Sequence, residues 1–212
     1  MPIARPPLPL TDYQRIFRVL KTVLDAADAN PAHPSVFFSM AGAYLIEQHY
    51  KKRCQPVAGA AFFRVDDDAG AVLPFADKDH EDLSSDKGFH CWIMCDDYIL
   101  DFTAPLFRES LQALGSAGSC SRKMFQKPRS AMSDSPLLMH EPGDFHMLPN
   151  VDLTRKILSE FFANERNNDL VKTCAHWYRK PPKDILRQAT MTSNDGTVSH
   201  LTLSSLSLVG AW

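Results

Sequence analysis

The sequence pairs a histidine with an aspartate across a predicted β-hairpin. Residues 89–95 and 98–103 are rich in aromatic and aliphatic side chains and predict two antiparallel strands. If a two-residue turn joins the strands, alternation places His90, Trp92 and Asp101 on the same face. His90 and Asp101 are then diagonal neighbours, within reach of a hydrogen bond between imidazole and carboxylate.

Such a pair suits acid–base chemistry. A carboxylate beside a histidine fixes the imidazole tautomer and stabilises the imidazolium, which is the orienting role in a catalytic triad. A three-residue turn would reverse the strand parity and separate His90 from Asp101. A structural reading also stays open, because titratable pairs occur in purely structural hydrogen-bond networks.

The cysteines are not expected to share this site. The same alternation sends Cys91 and Cys95 to the face opposite His90, so we expect both to be core thiols. The chain has an odd number of cysteines, and free thiols are favoured over disulfides. No second Cys or His pair stands at zinc-site spacing, so we expect neither a metal nor another cofactor.

The hairpin resembles a known family. His90-x-Trp92, followed by Asp101-Phe102-Thr103, resembles the His-x-Trp and Asp-Pro-Thr motifs of transglutaminase-like domains, which share the papain-like cysteine-proteinase fold. The resemblance implies that His90 is a catalytic base, that Asp101 orients it and that Trp92 lies beside a substrate. It also points to one of the uncharacterised bacterial families with this core.

The same resemblance points to a nucleophile. In that family a nucleophilic cysteine begins a helix, a small residue follows at the fourth place, and a later Gly-x-Pro-Ala motif opens a strand. Aligning Pro56 with that proline places Ser39 on the cysteine, Ala43 on the small residue and Cys54 on the glycine. The chain departs from the pattern in having Ser39 for cysteine, Cys54 for glycine and Phe102 for proline.

A serine in this position changes the chemistry. A cysteine there works as a thiolate, whereas a serine hydroxyl needs a general base such as His90 at the moment of attack. Ser39 also suits a structural role as a helix N-cap. Ser35 is a rival nucleophile and a rival cap, because Pro34 is a natural first helical residue and would put Ser39 more than a turn inside. The register set by Pro56 favours Ser39.

The elements that position these residues predict an α+β fold. Two N-terminal helices pack on a mainly antiparallel sheet, and C-terminal helices and a hairpin follow. We expect one domain over residues 1–212, with a core at about 11–114 and a C-terminal extension at about 115–212. Helices are predicted over residues 11–30, 39–50, 105–114, 152–162 and 168–178. Strands are predicted over 56–65, 71–75, 89–95 and 98–103, with short strands in 123–149 and a hairpin turning at 194–196.

Composition excludes several classes of protein. The net charge is -2, which gives no footprint for nucleic acid or an anionic membrane surface. No apolar run approaches the roughly 20 residues that a membrane span needs. The proline-rich start, residues 1–10, is unlike a signal peptide and predicts an extended surface arm, so we expect the cytoplasm. The tail of the chain is rich in apolar residues, and we expect that it forms a homodimer surface. These residues are Leu201, Leu203, Leu206, Leu208, Val209 and Trp212.

Two functions follow as hypotheses. The first is an enzyme that transfers an acyl group or hydrolyses an amide or ester, with Ser39 as nucleophile, His90 as base and Asp101 as orienting residue. The second is a catalytically inactive member of the fold that binds a peptide or a small molecule.

Overall fold

The computed structural model describes residues 5–27, 33–65, 70–115, 120–192 and 196–212. The fold is α+β, as predicted. Its helices are α1 (Leu10–Ala26), α2 (Pro34–Tyr50), α3 (Phe107–Ala113), α4 (Val151–Ala163) and α5 (Glu165–Trp177). Its strands are β1 (Cys54–Arg64), β2 (Val72–Phe75), β3 (His90–Cys95), β4 (Tyr98–Asp101), β5 (Phe125–Pro128), β6 (Phe145–Pro149), β7 (Gln188–Thr192) and β8 (Val198–Thr202).

One antiparallel sheet organises the molecule around the long strand β1. The strand order is β2-β1-β3-β4-β5, and β6 pairs with β1 as well. Gly59 of β1 faces His90 of β3, and Ala61 faces Phe75 of β2, so β3 and β2 follow one another along the same edge of β1. The tip of β2 therefore lies beside the start of β3. The hairpin β7–β8 forms a separate two-stranded sheet.

The sheet has an apolar cluster on each face. One cluster packs α1, α2, α4 and α5 against β3 side chains such as Cys91 and Ile93. The other contains Trp92 and the aromatic rings of Phe63, Phe107, Phe125 and Phe145. Both faces of β3 are therefore buried, because the curled sheet encloses the side that α2 does not cover.

Helix α2 begins a turn earlier than the predicted segment. Pro34 is its first residue, where a missing N–H costs nothing, and the helix ends at Tyr50 before Lys51 takes a left-handed conformation. Ser39 consequently lies more than a turn inside the helix.

Other boundaries correct the sequence-based prediction. Helix α1 ends at Ala26, short of the predicted end at Asn30–Pro31, which lies outside the described residues. The sequence also predicts a capping box of Thr11 and Gln14, but the helix begins after Pro9 without a side-chain cap. It predicts Asp152 as the cap of α4, whereas Asn150 caps that helix by accepting from Leu153 N–H. A turn predicted at 66–68 and most of the one predicted at 194–196 lie outside the described residues, but strands flank both positions.

The N-terminal arm is anchored more firmly than predicted. Leu8 is buried, and the Gln126 side chain fastens its backbone: Leu8 N–H donates to Gln126 Oε1 at 2.9 Å, and Gln126 Nε2 donates to Leu8 O at 2.7 Å. Pro7 and Leu8 are therefore part of the core rather than of a surface arm.

The C-terminal tail uses most of its apolar residues within the chain. Leu201 and Leu208 are buried, and Leu203 and Leu206 pack on the cluster beneath α1. Only Val209 of the six predicted dimer residues is strongly exposed. Much of the apolar tail thus packs within the chain, and a dimer surface there stays a prediction. In the described ranges, no helix combines the length and the apolar character that crossing a membrane requires.

Candidate active site

The predicted hairpin has the two-residue turn on which the site depends. Cys95 faces Tyr98 and Ile93 faces Leu100, with Asp96–Asp97 between the strands. This parity brings His90 and Asp101 together, and His90 Nε2 lies 2.6 Å from Asp101 Oδ2. The contact is direct, and both residues are almost wholly enclosed, with 2% and 1% of their surfaces exposed.

Asp101 is held from several directions. Thr103 N–H donates to Asp101 Oδ1 at 2.8 Å, and the Thr103 hydroxyl donates to the same oxygen. The Tyr13 hydroxyl, from α1, donates to the Asp101 backbone carbonyl. The two Thr103 donors hold the carboxylate through Oδ1 and leave Oδ2 for the histidine, which is the arrangement that an orienting residue needs.

The imidazole of His90 is clamped between aromatic rings. Phe75 of β2 stacks on it with ring centroids 4.3 Å apart, and Phe63 of β1 meets it edge-on at 5.6 Å. Since Nε2 faces a carboxylate, the neutral ring carries its proton there and Nδ1 is the basic nitrogen. In the part of the chain that the structure describes, Nδ1 makes no hydrogen bond. That nitrogen is available to accept a proton.

Ser39 does not join the pair. It is 2% exposed, on the side of α2 that packs against the sheet, three residues before Gly42, whose position abuts Ile93 and Phe102. Among the described residues, no hydrogen bond links Ser39 to His90. The side chain belongs to the helix–sheet interface, on the face of β3 opposite the imidazole.

Ser35 lies closer to the histidine. It is the second residue of α2, and its Oγ accepts from Cys91 N–H at 3.2 Å. That nitrogen belongs to the peptide bond between His90 and Cys91, so Ser35 lies against the histidine backbone. Ser39 is one helical turn further on, about 6 Å along the axis. The rival serine of the sequence is thus the one at the helix N-terminus.

Trp92 is enclosed beside the predicted pair. It shares the face of His90, as predicted, but it is fully buried within the aromatic cluster, and its Nε1 has no acceptor among the described residues. Its role in substrate binding stays a prediction.

Cys91 is an inert thiol. It lies on the helix-facing side of β3, as the strand parity predicted, and is 4% exposed. Burial, and to a lesser extent the Asp101 carboxylate, raise the pKa of the Cys91 thiol. A thiol held protonated is a poor nucleophile. Within the described ranges, no three His, Cys, Asp or Glu side chains gather closely enough to hold a metal ion.

Sequence reasoning missed two residues of the site. Tyr13 supports the Asp101 backbone from another element, and no local pattern connects α1 to β4. Phe75 covers the imidazole because β2 follows β3 along one edge of β1. That contact depends on the β1–β2 register, which the predicted partner strand could have suggested.

Tyr13 makes the folded state sensitive to alkaline pH. Burial, then the nearby Asp101 carboxylate, hold the pKa of the Tyr13 phenol well above its ordinary 10.0. Above that pH the unfolded chain releases a proton that the folded chain retains, so stability falls as pH rises. We expect Tyr13 to contribute a loss of about 1.4 kcal/mol per pH unit above 10, and Tyr13→Phe to remove it. Urea unfolding at pH 8 and pH 11 measures both slopes; equal slopes would contradict the role of Tyr13.

The comparisons with known proteins give a family but no activity. A family described as "Protein of unknown function (DUF2026)" matches residues 9–212. A crystal structure described as genomics APC5867 shares 33% sequence identity and a TM-score of 0.86, and the match covers 100% of both chains. No curated protein matches the chain.

Proposed function

The chain belongs to the DUF2026 family of proteins of unknown function, and we propose that this chain transfers an acyl group, or hydrolyses an amide or ester, at the N-terminus of α2. The single observation that carries the proposal is the 2.6 Å contact between His90 Nε2 and Asp101 Oδ2, which orients the ring and leaves Nδ1 basic. Peptides and small amides or esters are the substrates that such chemistry accepts.

Ser35 is the better-placed nucleophile in this proposal. Its hydroxyl oxygen accepts a hydrogen bond from Cys91 N–H, so its own proton is free to pass to a base. It lies in the first turn of α2, where backbone N–H groups not used within the helix can stabilise an oxyanion. Ser39, the serine selected by the transglutaminase-like alignment, is the alternative.

The steps use only residues of this chain. His90 Nδ1 takes the proton of the serine hydroxyl as its oxygen attacks the substrate carbonyl. The resulting imidazolium is stabilised by Asp101, and it then gives its proton to the leaving amine or alcohol. Water, or a second acceptor, repeats the sequence on the acyl-serine. The transglutaminase-like resemblance of the His90 and Asp101 segments supports the same assignment of roles.

A non-catalytic binding module is the second candidate. The observation that favours it is enclosure, because Phe75 covers the imidazole and the pair is nearly inaccessible. In that case His90 and Asp101 hold β3 to β4, and any peptide or small ligand binds elsewhere.

Labelling with a fluorophosphonate separates the two candidates. We expect a covalent adduct on Ser35 in the wild-type chain, lost in Ser35→Ala and reduced at least about tenfold in His90→Ala, since removing a general base costs 10²-fold or more. Ser39→Ala is the matched control, one turn along the same helix, and should retain the adduct. Peptide mass spectrometry locates the label.

The other possible results of the labelling experiment also decide between the candidates. An adduct on Ser39 that Ser35→Ala leaves intact would restore the nucleophile proposed from sequence. A chain that reacts at neither serine, over pH 6 to 9 and with folding verified by circular dichroism, would favour the binding module.

A further inference from the structure

Two cysteines face each other across β1 and β3. Cys54 opens β1, Cys95 closes β3, and the antiparallel register makes them direct partners. Both side chains pack into the apolar cluster on the α2 side of the sheet. Facing residues on antiparallel strands have Cα atoms about 4.5–5.5 Å apart, which lies within the range of about 4.4–6.8 Å that a disulfide spans.

The two thiols already interact. A hydrogen bond from the Cys54 thiol is the main reason that the pKa of Cys95 is lowered, and the ammonium of Lys52 acts in the same direction. The same hydrogen bond is the main reason that the pKa of Cys54 is raised. This interaction agrees with the strand register, which makes the two residues direct partners.

Access to the pair is from one side. Cys54 is half-buried and meets solvent at the end of β1, whereas Cys95 is fully buried. A reagent therefore reaches Cys54 first, with Cys95 directly behind it. Cys91, the other cysteine of β3, faces Ala58 and has no cysteine opposite it.

We propose that Cys54 and Cys95 form an oxidisable dithiol, which a small disulfide such as glutathione disulfide converts to an intramolecular disulfide. The hydrogen-bonded pair loses one proton, and when the remaining proton passes to Cys95 the accessible Cys54 sulfur is the thiolate. That thiolate attacks one sulfur of the small disulfide, breaks its S–S bond and releases one thiol, which takes up the proton that the pair lost. The Cys95 thiolate then attacks the Cys54 sulfur and releases the second thiol with the other proton. Two protein thiols are oxidised, and one small disulfide is reduced to two thiols.

The new bond would lie away from the candidate active site. Cys54–Cys95 is at one end of the β1–β3 ladder, and Gly59–His90 is at the other. Oxidation therefore leaves the His90–Asp101 contact in place. The proposal is independent of the acyl-transfer chemistry, and its outcome does not depend on whether a serine reacts.

Mass spectrometry of the full-length chain tests the proposal. The protein is incubated with glutathione disulfide or with dithiothreitol, then alkylated with iodoacetamide in urea so that every remaining thiol reacts. We expect oxidation to remove two alkylation sites and to yield a cross-linked peptide pair containing Cys54 and Cys95. The oxidised protein should also melt about 5–15 °C higher, because the cross-link constrains the unfolded chain.

Single cysteine-to-serine variants test whether the cross-link is specific to Cys54 and Cys95. Cys91→Ser, on the same strand, should retain the cross-link and the shift in melting temperature, whereas Cys54→Ser and Cys95→Ser should lose both. Glutathione that remains on Cys54 without a cross-link would overturn the proposal. So would a cross-link to another cysteine, or full alkylation of the wild-type chain after oxidation.

Discussion

Asp101→Ala should unfold at a markedly lower urea concentration than the wild-type chain, with a loss of about 3–5 kcal/mol in the free energy of unfolding. The carboxylate is 1% exposed and accepts hydrogen bonds from His90 and from the backbone and hydroxyl of Thr103. Its removal takes the acceptor from both Thr103 donors and leaves the imidazole only the longer contact of Nε2 with the Thr103 hydroxyl, at 3.3 Å. Unsatisfied buried polar groups carry their full desolvation cost, so the loss exceeds the value of the bonds themselves.

Two variants distinguish the contact from a general effect on the hairpin. Asp101→Asn keeps the shape and one carbonyl oxygen, so we expect a smaller loss, about 1–3 kcal/mol. Asp97→Ala removes an exposed carboxylate from the β3–β4 turn and should change stability by less than about 0.5 kcal/mol. If Asp101→Ala behaved like Asp97→Ala, the buried pair would not stabilise the fold.

Gly59→Ala should destabilise the sheet by at least about 3 kcal/mol, because the added methyl has no room. A Cβ at Gly59 would lie 2.1 Å from the Leu148 carbonyl oxygen and 3.0 Å from the Asn150 nitrogen. These are backbone atoms of β6 and its exit, and they cannot move without breaking the β1–β6 pairing. Gly59 also faces His90, so the displacement should reach the candidate site.

Gly42→Ala provides the comparison. Its Cβ would lie 2.6 Å from Cδ2 of Phe102, a side-chain atom that can shift, and alanine gains about 1 kcal/mol of helix propensity over glycine. We expect a net loss of about 1–2 kcal/mol by urea unfolding. The ranking is the test: a Gly59→Ala loss no larger than that of Gly42→Ala would show that β6 can yield at this point.

The His90–Asp101 contact was predictable because it is local. A two-residue turn and strand alternation are enough to place two side chains on one face of a hairpin, and neither depends on distant parts of the chain. The start of α2 was harder to predict, because Pro34 and the alignment on Pro56 pointed to different positions. The helix begins at Pro34, so the serine in its first turn is Ser35 and not Ser39.

Trp92 shows a different limit of sequence reasoning. Alternation tells which face of a strand a side chain occupies, but not whether that face meets solvent. The resemblance implied that Trp92, on the face of His90, lies beside a substrate, yet the curl of β1 and the strands β5 and β6 enclose that face. Enclosing this face brings together residues that are far apart in the sequence, so no local sequence pattern predicts it.

The N-terminal arm and the C-terminal tail both lie against β5, and this arrangement affects the solubility of the protein. A terminal strand of a sheet offers unpaired backbone groups, and such edges attract strands from other molecules. Here Met124, just before β5, donates its N–H to Gly210 and accepts from Trp212 N–H, while Gln126 holds Leu8. The backbone N–H and C=O of Met124 are therefore already engaged, and a foreign strand cannot pair with them. Loss of residues 210–212 would free both groups and would remove Trp212 from the aromatic cluster that it packs against, which would give the protein a route to aggregation.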